Sequence, residues 1–220
     1  HKKWKIDYYF SFMAKDFFYE LYPKEFNYET IIFGLESSLY KNLRPFNERI
    51  KKRILDSGAI GNTKFIGRMI NSIKNPKWNA FECYKLRTIC SKLPYVDYTS
   101  TLDHNYVNDN YPKLLEKYAA AIAADTYTPV VKFWEMPAAG CLTFMEITKK
   151  NMGNYLGFTD GVNAIFINEN NYKEKFEEYL ADTNNPKWEN IARAGREYAL
   201  NKLNNDKAVE SLLVLMRKLL

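Results

Sequence analysis

Ala119-Ala120-Ala121-Ile122-Ala123-Ala124-Asp125-Thr126-Tyr127-Thr128-Pro129-Val130-Val131-Lys132-Phe133-Trp134-Glu135-Met136-Pro137-Ala138-Ala139-Gly140-Cys141-Leu142-Thr143-Phe144-Met145-Glu146-Ile147 is the stretch that decides the fold. Its first six residues are small and apolar and stop at Asp125, as a strand covered on both faces would. Thr128 before Pro129 predicts an N-cap and a first helical position, with the helix running through Val130, Phe133, Trp134 and Met136 to Gly140. Cys141 to Ile147 is again apolar and partly β-branched, a second strand. A strand, a short helix and a strand in immediate succession predict a parallel sheet.

Working outward, Tyr111 to Tyr118 reads as a helix with Leu114, Leu115 and Tyr118 on one face, and Ala164 to Ile167 as a buried strand after an Asp160-Gly161 turn. Three helices are expected beyond it: Tyr172 to Leu180, Trp188 to Leu203 after the Asn184-Asn185-Pro186 break, and Lys207 to Leu220. Upstream, Thr30 to Phe33 is predicted as a strand ending at Gly34, followed by a polar loop from Glu36 to Pro45 and a helix through Leu55 closed by Gly58. Lys64 to Ile66 is a further candidate strand, Glu82 to Ser91 a short helix, and Pro94 to Asn110 a turn-rich connection. Residues 1–27 carry aromatics without a period and are set apart as a lead-in. The expected fold is thus an α/β, Rossmann-like, doubly wound parallel sheet over residues 28–220, with helices on both faces and helices at its C-terminal end.

The chain has 220 residues, 46% hydrophobic and 26% charged, enough for one large domain and far from a disordered composition. Its formal charge of +6 favours an anionic partner, and the basic run Lys51, Lys52, Arg53 is expected on a solvated helix face. No zinc-finger spacing or RNA-binding signature occurs, so nucleic acid is not expected as a partner. Cys83, Cys90 and Cys141 form neither a CxxC pair nor an even set, which points to reduced, buried thiols and a cytoplasmic location. No run of about 18 apolar residues predicts a membrane span, and no signal-peptide pattern opens the sequence.

In a doubly wound sheet ligands gather at the carboxyl ends of strands, here after Phe33 and after Ala124. Thr128, Lys132 and Glu135 fall on one helical face beside backbone amides that could cradle a pyrophosphate. Lys132 suits a phosphate, and the Glu135 carboxylate suits a ribose diol, one oxygen for each hydroxyl. The same spacing fits a solvent-facing ion pair. His104, in the polar segment 101–110, is read as structural or exposed rather than as a general base. Walker, GxGxxG, nucleophile-elbow, Asp-x-Asp and His/Cys metal-ligand patterns are missing from the sequence, so no metal and no cofactor are expected.

The run Lys132 to Leu142, then Asp160-Gly161-Val162-Asn163-Ala164, then Ile191-Ala192-Arg193-Ala194-Gly195-Arg196, resembles the C-terminal domain of GT-B glycosyltransferases. It is most similar to the group-1-like branch that includes spore-maturation-type proteins. The resemblance spans residues 111–200 and extends more loosely to Gly34 through Arg49. It implies that Glu135 binds a nucleotide ribose and that Lys132 faces a diphosphate. Arg44 and Arg49 stand where family members place a basic residue against the diphosphate, near Gly34, and Tyr127 stands where many retaining members carry a glutamate at the donor sugar. The implied protein is the nucleoside-diphosphate-sugar-binding half of a metal-independent glycosyltransferase. Its acceptor is unspecified, and it works with a second Rossmann-like domain in the same or another chain, so that the isolated polypeptide binds donor but turns over little. A non-catalytic, glycosyltransferase-like nucleotide- or glycan-binding module is the alternative, and a receiver-like regulatory domain lacks the acidic cluster its chemistry needs.

Overall fold

The computed structural model describes residues 2–61, 64–74, 79–100 and 106–218. Near the N-terminus, β1 (Tyr9–Ser11) and β2 (Tyr28–Thr30) form a two-stranded parallel ladder around α1 (Lys15–Leu21). The main sheet is built from β3 (Ile50–Ser57), β4 (Val96–Thr99), β5 (Tyr118–Ala123), β6 (Leu142–Glu146) and β7 (Ile165–Ile167). All its pairs are parallel and the order is β4-β3-β5-β6-β7. Helices α2 (Phe65–Lys74), α3 (Ala80–Cys83), α4 (Lys85–Cys90), α5 (Tyr111–Leu115), α6 (Lys132–Ala138), α7 (Tyr172–Ala181), α8 (Pro186–Lys202) and α9 (Asn205–Arg217) complete the described chain.

Two cores lie on the two faces of the sheet, as the doubly wound reading requires. Ile54, Ala120, Ile122, Leu142 and Phe144 pack with Leu86 and Cys90 of α4, Phe176 and Tyr179 of α7, and Trp188 and Ile191 of α8. Leu55, Ala121, Ala123 and Met145 pack with Leu114 and Leu115 of α5 and with Phe133, Trp134 and Met136 of α6. The alanines of β5 matter because each residue without a large side chain lets a bulky ring come close to the sheet. Trp134 and Phe133 are fully buried there, each removing about 150–250 Å² from water. Helix α8 starts where Asn185 accepts the Lys187 amide at 3.1 Å, and α9 where Asn204 accepts the Lys207 amide at 2.8 Å.

Several expectations upstream and at α6 are corrected. The apolar run after Thr30 is not a strand of the main sheet: Gly34 bends the chain at φ +94°, Ile31 is buried against α9, and Leu35 enters the core. The helix expected through Leu55 is β3. Phe46, Ile50 and Ile54 recur at a helical spacing of four, but pairing of Ile54 with both Val96 and Ala120 outweighs that local pattern. Lys51, Lys52 and Arg53 therefore lie on a strand, and Arg53 bridges to Asp97 on β4. Residues from Phe65 are helical rather than extended, and the turn-rich segment conceals β4. Thr128 does not cap α6, which starts four residues later at Lys132 with Val131 in the cap position. No helix among the described residues is long and apolar enough to cross a membrane.

Candidate functional site

The order β4-β3-β5-β6-β7 places the reversal of chain direction across the sheet between β3 and β5, and a crevice opens outside the carboxyl ends of those two strands. Two cations are tied to that edge. The Lys132 ammonium donates to the carbonyl of Ser57, the last residue of β3, at 2.5 Å. The Arg87 guanidinium donates to the carbonyl of Ala124, just past β5, and to that of Ala59 at 3.0 Å. Gly58 makes room for both. It sits at φ +119°, and a Cβ there would stand 2.3 Å from Lys132 Nζ and 3.1 Å from Arg87 Nη1. The Tyr111 ring centroid lies 5.7 Å from Lys132 Nζ, and its hydroxyl is 2.7 Å from Ser57 Oγ.

Beneath these cations Asp56 is fully buried, and neither carboxylate oxygen has a hydrogen-bond partner among the described residues. Burial pushes its pKa up to about 7 against the pull of Arg87 and Lys132. Burial, with repulsion from Arg87, draws Lys132 down to about 7. Desolvation thus outweighs the attraction of the pair and draws both pKa values toward neutrality. An anion arriving at this edge would favour the charged lysine.

One turn along α6, Glu135 faces a cavity of about 510 Å³ shared with Gly34, Glu36, Leu39, Tyr40 and Asp109. Its Oε1 accepts the Tyr40 hydroxyl at 3.2 Å, and burial raises its pKa to about 7. The loop entering α6 is held by Asp125, whose Oδ1 accepts the amides of Tyr127 at 3.2 Å and Thr128 at 3.3 Å. Asn151 fastens that loop to β6, donating to Asp125 O at 3.0 Å and Glu146 O at 2.6 Å. Thr128 Oγ1 is buried without a partner among the described residues, and the Tyr127 ring carries the Lys150 ammonium 4.5 Å from its centroid.

The structure therefore brings Glu135, Gly34 and Lys132 together at the strand ends, with Tyr127 and Thr128 on the adjoining loop. Arg44 and Arg49 lie at the other end of β3. Arg49 is 7% exposed and clamps the start of that strand to the end of α6, through Arg44 O and Ala139 O, each at 2.8 Å. Lys132 and Glu135 are half-buried and, rather than pairing with each other, bond to the Ser57 carbonyl and the Tyr40 hydroxyl. Further contributors were missed in the sequence. Asp56 and Ser57-Gly58 were hidden by the helical spacing of their strand, Arg87 carries no local signal, and Tyr40 acts across 95 residues. His104 lies outside the described residues. Among the described residues no group of three or more His, Cys, Asp or Glu is arranged to hold a metal ion.

No family model matches this sequence, and neither does any curated protein. Solved structures are similar in fold. The Anabaena protein HepE, in complex with UDP and glucose, superposes with a TM-score of 0.63 at 12% identity, covering 96% of this chain and 63% of its own. A glycosyltransferase from Rickettsia africae gives 0.62 at 12% identity, with 96% and 63% covered. The pneumococcal O-GlcNAc transferase GtfA, in complex with UDP and GlcNAc, gives 0.52 at 13%, with 99% and 46% covered. This chain spans less than two thirds of the length of each.

Proposed function

We infer that this chain, which has the Rossmann-like α/β fold of GT-B glycosyltransferases, binds a nucleoside-diphosphate sugar and takes part in transferring the sugar to an acceptor. The observation that carries the reading is the pair of cations, buried Arg87 and half-buried Lys132, fixed on the carbonyls that end β3 and β5, with the half-buried carboxylate of Glu135 one helical turn from Lys132.

In this reading the donor's diphosphate lies against Lys132 and Arg87, and its ribose diol donates to Glu135 in the cavity beside Gly34. As the sugar leaves, negative charge grows on the diphosphate, and cations already fixed in a dry site stabilise it without reorganising. Such a site stabilises the leaving group with its own side chains, with no metal and no cofactor taking part. Tyr127, on the loop before α6, borders the place of the donor sugar. The acceptor is held by a second Rossmann-like domain, so this chain alone binds donor and turns it over slowly.

The fully or largely buried, unpaired Cys83, Cys90 and Cys141 support a reducing compartment, the cytoplasm. Since HepE and GtfA were solved with UDP, uridine diphosphate is the first nucleotide to try. Calorimetric titration of uridine, guanosine, thymidine and cytidine diphosphates tests the proposal. One nucleotide is expected to bind, and Lys132→Met to weaken it at least tenfold; a folded chain that binds none of the four would overturn the reading.

A further inference from the structure

At the amino ends of the strands, a second cavity of about 220 Å³ is lined by Arg44, Arg49, Arg193 and Arg196, with Glu189 as its acidic member. The four arginines come from two places far apart in sequence, the segment leading into β3 and the middle of α8. Gly140, in the turn after α6 at φ +76°, lets the inner two approach: a Cβ there would lie 3.5 Å from Arg196 Cδ and 3.5 Å from Arg49 Nη2.

The inner pair is short of negative charge. Arg49 gives its donors to neutral acceptors, the carbonyls of Arg44 and Ala139 and the Cys141 sulfur. Arg196 donates to the carbonyl of Tyr40 at 2.7 Å, while its Nε is buried and without a partner among the described residues. Among the described residues none of the four arginines forms an ion pair with a carboxylate. Glu116 approaches, but uses Oε2 on the backbone amide of Arg44 at 3.0 Å. Burial and the neighbouring Arg196 both hold the Arg49 guanidinium below its ordinary range. Buried cations placed side by side are costly unless an anion joins them. The carbonyls that end α6 offset part of that cost, but they do not account for the exposed Arg44 and Arg193 converging on the same hollow.

We propose that this cavity is a binding site for a phosphate-class oxyanion, separate from the donor crevice. Forked guanidinium donors from several directions match the oxygens of a tetrahedral phosphate. The volume suits a pyrophosphate or a small phosphate ester, whereas pockets for larger ligands run from about 300 Å³ upward. The two sites are kept apart by the length of β3, whose eight residues span roughly 25 Å.

Inorganic pyrophosphate is the probe. Phenylglyoxal labelling of the wild-type chain with peptide mapping reads each arginine separately, so that Arg87 at the donor end reports on the other site. Pyrophosphate is expected to slow labelling of Arg44 and Arg193 at least fivefold; unchanged labelling of both, with or without protection of Arg87, overturns the proposal. In calorimetry the Arg44→Gln/Arg193→Gln variant, altered only at exposed positions, should lose at least tenfold in affinity at this site. An affinity equal to that of the wild type would also overturn it.

Discussion

Gly58→Ala tests whether the end of β3 is shaped around the two cations. At φ +119° a residue with a Cβ is strained, a cost of about 1–3 kcal/mol. The new methyl would stand 2.3 Å from Lys132 Nζ, so the ammonium must leave Ser57 O, and losing a hydrogen bond of a charged group costs about 1.5–3 kcal/mol. Together these give roughly 3–6 kcal/mol. In a domain of this size about 2–4 °C is lost per kcal/mol, so Tm should fall by about 6–24 °C. Scanning calorimetry measures it. Removing the ammonium relieves the clash, so Lys132→Met added to Gly58→Ala should cost less than the sum of the two single changes. A Gly58→Ala protein melting within about 1 °C of wild type, or strictly additive losses, would refute the reasoning.

The buried charges also predict a pH profile. Asp56, Glu135 and Glu146 are raised by burial to about 7 from 3.8, 4.5 and 4.5, so the stability they contribute at low pH is lost as pH rises from about 4 to 7. Lys132 is depressed from 10.5 to about 7, so the stability it contributes in alkali is lost as pH falls from 10.5 to 7. Urea unfolding at pH 5, 7 and 9 should show the lowest stability at pH 7, with the rise toward pH 9 missing in Lys132→Met; a wild-type maximum at pH 7 would contradict this. Tyr40→Phe removes the 3.2 Å bond to Glu135 and should cost about 1 kcal/mol, with the Glu135 carboxyl titrating at higher pH by carbon-13 NMR. Trp134→Ala empties a fully buried site between α6 and β5 and should cost about 3–5 kcal/mol in urea unfolding; a cost below about 1 kcal/mol would place the ring outside the core.

The fold was legible where local pattern and tertiary environment agree. From Tyr111 onward, apart from the Thr128 cap, the alanine strand, the apolar Cys141–Ile147 run, the Asp160-Gly161 turn and the Asn184-Asn185-Pro186 break each announce themselves. Upstream they conflict. Ile50 and Ile54 carry a helix-like spacing, and only partners remote in the chain, Tyr118 and Ala120, make them a strand. At the site, Glu135 and Lys132 share one face of a recognisable segment and so could be found together. Arg87 and Asp56 reach them only through the pairing of β3 with β5 and the packing of α4, information that no single window of residues contains. Arg44 and Arg49 were read as phosphate-facing residues of the donor site, but the reassigned strand carries them to the far end of the sheet from Glu135 and Lys132.

The central claim is that Glu135 holds the ribose diol of a diphosphate fixed by Lys132 and Arg87, and one comparison tests it most directly. Uridine diphosphate and its 2′-deoxy counterpart are titrated into the wild-type chain and into Glu135→Gln. The wild type should bind the ribonucleotide about tenfold more tightly, since a hydrogen bond to a charged group lost in a dry site is worth at least 1.4 kcal/mol, and Glu135→Gln should narrow the gap. Equal affinity for both nucleotides in the wild type, or a gap unchanged by the substitution, would contradict the account.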